Sequence, residues 1–297
     1  MSTLNPIVPD EIFYPPPQLR NRLIASARGL RVVSHLLCGL LLVSLFPLLK
    51  KSTQHHIVKY WSRKLLEILH IGLETQGDYP AAAVRGSLLV ANHISWVDAV
   101  AMNAVLPAYF VAKSEVSDWP LLGRIFHGIH TLFIRRDIKM DTLRVNRQIA
   151  QLLAQGERVA LFPQGTTILG TQIGHFHSSL LQGAVSMEAA ISPVAIHYHD
   201  GMGNANHDAA FIGDMTFIHS LWKILCSPAL HVTLMYLPAL SSSGKDRRSL
   251  AAEAQSAIYQ ALTRHDAVLP TTCAHLTQTN PDNSLVLLVS HRASGLN

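Results

Sequence analysis

The stretch VANHISWVDAV, residues 90–100, places His93 and Asp98 five positions apart, directly after a short apolar run. These residue types can move a proton near neutral pH. An imidazole takes the proton from a hydroxyl, while a carboxylate behind it fixes the tautomer and stabilises the imidazolium. On a regular helix, residues five apart lie about 140° from one another, so the two side chains meet only if His93 precedes the helix and Asp98 lies in its first turn. Ser95 permits that arrangement, because it is a good N-cap and Asp98 follows at capping-box spacing. The same spacing suits a capped helix with no chemistry, so the pair is ambiguous by itself.

Three later blocks bear on the choice. LFIRRD (132–137) offers two guanidinium groups at the end of a predicted strand, where ligand sites of open α/β sheets lie. VALFPQGTT (159–167) is a strand running into Pro163, Gln164, Gly165 and Thr166, a turn able to aim backbone N–H groups at an anion. SPVAIHY (192–198) is a further apolar strand entered through Pro193. His197, His199, His207 and Asp208 could suggest a metal cluster, but the segment is Gly- and Asn-rich and lacks a recognised ligand spacing; it reads as a polar loop after a strand.

The elements that must position these residues alternate. Short apolar runs at 87–91, 109–112, 131–134, 158–162, 192–198 and 231–237 read as strands, and 95–106, 120–127, 141–155 and 246–265 as helices. The pattern predicts an α/β fold with a mainly parallel central sheet flanked by helices. Ahead of it lie a Pro-rich lead-in (1–18) and a helical segment (19–74), with the main domain over 75–265 and a tail over 266–297. Within the helical segment, residues 32–49 are eighteen residues with no formal charge except on His35, long enough to cross a bilayer or to dip into one leaflet. Residues 57–74 read as an amphipathic helix lying on the same membrane or on the main domain.

Composition agrees with membrane contact. Charged residues are 14%, against about 25% for a soluble domain. The first 70 residues carry nine Lys/Arg against three Asp/Glu, whereas the remainder carries fifteen against sixteen. Basic residues flanking an apolar run, with no alternating aromatics, point to anionic lipid rather than nucleic acid. Cys38, Cys226 and Cys273 are odd in number and far apart, which predicts neither a disulfide framework nor a zinc site. A soluble hydrolase is disfavoured, because no G-x-S-x-G elbow occurs.

In order and separation, the blocks resemble the phospholipid/glycerol acyltransferase family, best known for the 1-acylglycerol-3-phosphate (lysophosphatidic acid) acyltransferases. The matching patterns are N-H-x-x-x-x-D, a strand ending F-[IV]-x-R, F-P-E-G-T and a P-V strand; KSEVSDWPLLG (113–123) resembles the connection between the first two. The resemblance implies acyl transfer from acyl-CoA or acyl-carrier protein to the free hydroxyl of a lysophospholipid, most simply sn-2 of 1-acylglycerol-3-phosphate, at the cytoplasmic face of the bacterial inner membrane. It implies His93 as general base, Asp98 as its orienting carboxylate, and Arg136, Gln164, Gly165 and Thr166 around the acceptor's phosphate. Lys113 would help hold a phosphorylated substrate or is a plain surface lysine. No metal or prosthetic group is implied. Gln164 departs from the family's Glu, which opens two alternatives: another acceptor such as a lyso-ornithine lipid, or a lipid-binding homologue with impaired catalysis.

Overall fold

The structure, a computed structural model, describes residues 19–77, 86–119, 121–135, 137–169 and 173–268. The lead-in and nearly all of the tail lie outside these residues, as does Arg136.

Two helices lead the chain, α1 (Leu19–Leu45) and α2 (Lys51–Leu69). α2 stops because His70 adopts the left-handed conformation (φ 59°) and turns its N–H back onto the carbonyls of Leu66 and Glu67. The chain then enters β1 (Ile71–Gly77), so the helix expected over 57–74 starts earlier, at Lys51, and ends earlier, at Leu69, and the last residues expected of it belong to the sheet. Ile71 and Leu73 are two apart, a spacing easily absorbed into the end of a long helical repeat.

There follow β2 (Leu88–Ala91), α3 (Val97–Val105), β3 (Tyr109–Lys113), α4 (Leu122–Gly128), β4 (Leu132–Ile134), α5 (Lys139–Ala154), β5 (Val159–Leu161), the short α6 (Gln182–Val185), β6 (Ile191–His199), α7 (Phe217–Cys226), β7 (Leu230–Tyr236) and α8 (Arg247–Val268). The strands form one seven-stranded sheet in the order β1-β7-β6-β2-β5-β3-β4. Every pairing is parallel except β6 with β7. β2 and β6 are buried along their whole length, as the continuous apolar runs of a sheet covered on both faces require. The core on one face gathers residues of α1, α2, α3 and α7. The core on the other gathers residues of α5, α6 and α8.

α7 answers to no helix expected from the sequence. One expectation needs correction: β6 runs one residue past the strand expected over 192–198, so that His199, like His197, is buried within it rather than in a loop. Their neighbours explain this: His199 Nε2 lies 3.0 Å from Thr233 Oγ1 on β7, so a polar side chain is satisfied within the ladder. His207 and Asp208 fall outside any helix or strand. Among the described residues, no three His, Cys, Asp or Glu side chains converge as a metal site requires.

α1 is long and apolar enough to cross a membrane by length and composition, yet it packs along one side of the domain. Its contacts run from Arg28, whose Nη1 donates to the Leu225 carbonyl at 3.2 Å, to Val43, which lies against Gly128 of α4. Midway, His35 and Trp61 of α2 stack at 4.7 Å, and each ring hydrogen-bonds the other's backbone carbonyl, at 3.0 and 3.2 Å. Gly39 leaves room for this indole: a Cβ there would lie 2.8 Å from Trp61 Nε1. The opposite side of α1 is bare, exposing Leu30, Val33, Leu37, Leu41 and Leu45.

These contacts set a contrast between two glycines of one helix. Gly39→Ala should destabilise by about 1–3 kcal/mol, because the clasped indole cannot yield. Gly29→Ala, whose Cβ would meet Leu225 at an ordinary 3.6 Å, should be neutral or gain up to about 1 kcal/mol of helix propensity. Thermal unfolding of the two variants in the same detergent distinguishes them.

Candidate active site

β2 and β5 are parallel neighbours, so their carboxyl ends open on the same edge of the sheet. Asn92 follows β2 and is held by β6: its amide donates to the Ile196 carbonyl (3.0 Å) and accepts from the Ile196 N–H (2.8 Å). The strand end is thereby fixed one residue before His93. α3 begins at Val97, so His93 precedes the helix and Asp98 lies in its first turn.

The Asp98 side chain is fully buried. Its Oδ2 accepts from His93 Nδ1 (2.8 Å), Ile94 N–H (2.7 Å) and Ser95 N–H (2.9 Å). Ser95 Oγ accepts in turn from Val97 N–H at 3.3 Å, which completes a reciprocal cap. Oδ1 accepts from the Tyr198 hydroxyl at 2.7 Å. Burial, with the Asp98 charge beside it, pushes the Tyr198 phenol well above the ordinary tyrosine range, so it stays protonated and remains a donor. A carboxylate opposite Nδ1 fixes the proton on that nitrogen and leaves the lone pair on Nε2. The ring stacks face to face on Phe162, 4.0 Å away and 6° from parallel, and its side chain is 21% exposed. His93 thus has one nitrogen tied and one available to a proton.

The β5 loop supports His93 from behind. Gln164 is buried, and its Oε1 accepts the His93 backbone N–H at 2.5 Å. Its Nε2 is also buried and has no hydrogen-bond partner among the described residues. The acceptor in use is one that a Glu would supply equally, so Gln164 braces the histidine backbone and its side chain does not line the cavity. Gly165 turns the chain with φ 77°, its N–H on the Phe162 carbonyl at 3.2 Å, a conformation that favours glycine. Ile168 N–H then donates to the His93 carbonyl at 2.9 Å, tying the two loops together.

His93, Gly165 and Thr166 line one cavity of about 430 Å³. Its walls are mostly apolar, from Leu42 and Val43 of α1 and Trp61 and Leu65 of α2 to Phe110 and Phe217. Lys113, exposed at the end of β3, lies on the same lining. Arg136 is outside the described residues; Arg135, its neighbour in the sequence, is held in place. Asp141 accepts from the Arg135 backbone N–H (3.0 Å) and from the Arg135 and Arg144 side chains (3.3 Å each). These donors, the backbone N–H foremost, hold the Asp141 carboxyl at about 2.

Sequence reasoning passed over Tyr198 and Phe162. Both sit in apolar strand patterns, where an aromatic reads as core, and only the pairing of β6 beside β2 carries Tyr198 to Asp98.

A model of the acyltransferase family matches residues 73–197. The chain is 35% identical over 210 residues to the lyso-ornithine lipid O-acyltransferase of Pseudomonas aeruginosa, covering 70% of this chain and 79% of that one. It is 32% identical over 206 residues to the 1-acyl-sn-glycerol-3-phosphate acyltransferase of Neisseria meningitidis, covering 69% and 80%. The fold is similar to the crystal structure of the 1-acyl-sn-glycerophosphate acyltransferase of Thermotoga maritima, with a TM-score of 0.65 at 15% identity over 84% of this chain and 97% of that one.

The geometry predicts a cost for removing one oxygen atom. Tyr198→Phe strands Asp98 Oδ1 without its donor in the interior and should destabilise by about 1–3 kcal/mol, while Tyr60→Phe on the exposed side of α2 should change nothing measurable. Denaturation midpoints of the two variants report the difference.

Proposed function

This chain belongs to the acyltransferase family, and from that premise we propose that it esterifies the free hydroxyl of a lysophospholipid with a fatty acyl group. The observation that carries the reading is the His93–Asp98 pair, with His93 on the wall of a mostly apolar cavity. His93 Nε2 takes the proton of the acceptor hydroxyl as its oxygen attacks the thioester carbonyl of acyl-CoA or acyl-carrier protein. Asp98 stabilises the resulting imidazolium. Collapse of the tetrahedral intermediate breaks the C–S bond, and the departing thiolate takes the proton back from Nε2, so the histidine ends as it began. The apolar walls suit a fatty acyl chain, at about 0.8 kcal/mol for each buried CH₂. Thr166 and Arg136 supply donors for the acceptor's phosphate, beside the turn made by Gly165, whose own N–H is held by the Phe162 carbonyl. The steps described require no metal or prosthetic group.

The acceptor we favour is 1-acylglycerol-3-phosphate. Lyso-ornithine lipid is the second reading, favoured by the name of the Pseudomonas relative and by the neutral amide at Gln164. The bare stripe of α1 and the basic first 70 residues support placement on the cytoplasmic face of the bacterial inner membrane. α1 lies along the surface in this reading. Its contacts at Gly29 and Val43 are fourteen residues apart, about 21 Å, so a crossing helix would drag the flank of the domain into hydrocarbon.

Membranes containing the protein should transfer labelled acyl groups to lysophosphatidate, and His93→Ala should lower the rate by about 10²–10⁴. Undiminished transfer by His93→Ala sinks the base assignment, and turnover of lyso-ornithine lipid alone decides for the second acceptor. Gln164→Glu keeps the acceptor for the His93 N–H, so it should retain transfer within about tenfold in the same assay.

A further inference from the structure

Residues 200–229, between β6 and β7, contribute to the cavity and to α7 but have no assigned part in the chemistry. α7 carries one broad apolar arc, and only part of it is buried. Inward, Phe217 packs against Trp96 and Trp119, with ring centroids 5.0 and 5.3 Å apart, and Ile224 and Leu225 are buried. Outward, Ile218 is 77% exposed and Trp222 40%, four residues apart and therefore on one side of the helix. Such exposure is costly in water, and nothing in the described chain covers it.

We propose that this outward face of α7 is a second bilayer contact, inserted beside α1 into the same leaflet of an anionic phospholipid membrane. The inference rests on the reading above that the acceptor is a membrane lipid. Three observations favour a lipid surface as the occupant. α7 is packed against α1, with Leu225 in contact with Gly29, so its apolar face extends an apolar surface already present. The charge within the two helices is one-sided: α1 carries Arg22, Arg28 and Arg31 and no acid, and α7 carries Lys223 and no acid, the exposed Asp214 standing just ahead of it. Such a pattern attracts anionic head groups. Finally, the two helices share the cavity: Gly39, Leu42 and Val43 line it from α1, and Phe217 from the start of α7, with Phe211 and Gly213 of the segment before it. A lysolipid leaving the leaflet between them meets His93 without crossing water. Trp222 is the kind of side chain that settles at a membrane interface, its ring in the apolar zone and its N–H toward the head groups.

The test uses the full chain and vesicles of phosphatidylglycerol and phosphatidylethanolamine with brominated acyl chains. Vesicles should quench the tryptophan fluorescence of the wild type, and Trp222→Phe should remove a distinct part of the quenched signal. Ile218→Ser with Trp222→Ser should bind these vesicles at least about tenfold more weakly. It should keep its acyl transfer to lysolipid dispersed in detergent, where no leaflet has to be reached. The proposal is overturned if Trp222→Phe shows the same quenching as wild type. It is also overturned if the double variant turns a dimeric wild type into a monomer in vesicle-free buffer, which would make the face a contact between copies. Loss of transfer in detergent by wild type and variant alike counts against the acyl-transfer reading and leaves the quenching result standing.

Discussion

A negative charge with no access to water organises this molecule. The Asp98 carboxylate is fully buried and is tolerable there only because every donor it needs is brought to it. Two donors are backbone N–H groups of the turn that starts α3, one is the imidazole, and one is a phenol from β6. Helix capping and imidazole orientation are therefore a single arrangement, in which the geometry that satisfies the charge also aims His93. The order of β2 beside β6, the fixing of Asn92 on Ile196 and the positive φ at Gly165 all hold that arrangement in register.

The histidine is braced on three sides. Asp98 holds one ring nitrogen, Phe162 covers one face, and Gln164 takes its backbone N–H. The departure of Gln164 from the family pattern has a local meaning as a result. The oxygen that supports His93 is present in either side chain, and what differs is the second atom, a buried amide nitrogen in place of an oxygen. The substitution alters the charge behind the site while leaving the brace in place.

Much of this was legible in the residues. Strong alternation of apolar runs with helical segments predicted the sheet and its parallel character, and the Ser95–Asp98 spacing predicted that His93 must stand outside the helix. Where reading failed, two signals overlapped or a distant strand decided. β1 was lost because its first apolar residues continue the spacing of α2, and only the left-handed His70 separates them. α7 is only ten residues long, and a short apolar run of that length does not declare itself as helix or strand. His199 reads as a loop residue because a buried imidazole in a strand needs a partner such as Thr233 from another strand. Tyr198 needed the same kind of knowledge, since nothing local marks it as the donor to a carboxylate one hundred positions earlier.

That separation has a consequence for how the chain acquires its structure. Three of the four donors to Asp98 lie within five residues of it, and the fourth arrives only when β6 is laid beside β2. During synthesis, the first five of the seven strands emerge with the Asp98 charge still lacking one of its donors. Until β6 docks, water must fill the place of the Tyr198 hydroxyl, and the turn that carries His93 has no rigid backing from Ile196. The proton-moving pair thus gains its last donor only with β6, and a nascent chain that stops short of β6 carries the motif without a finished site.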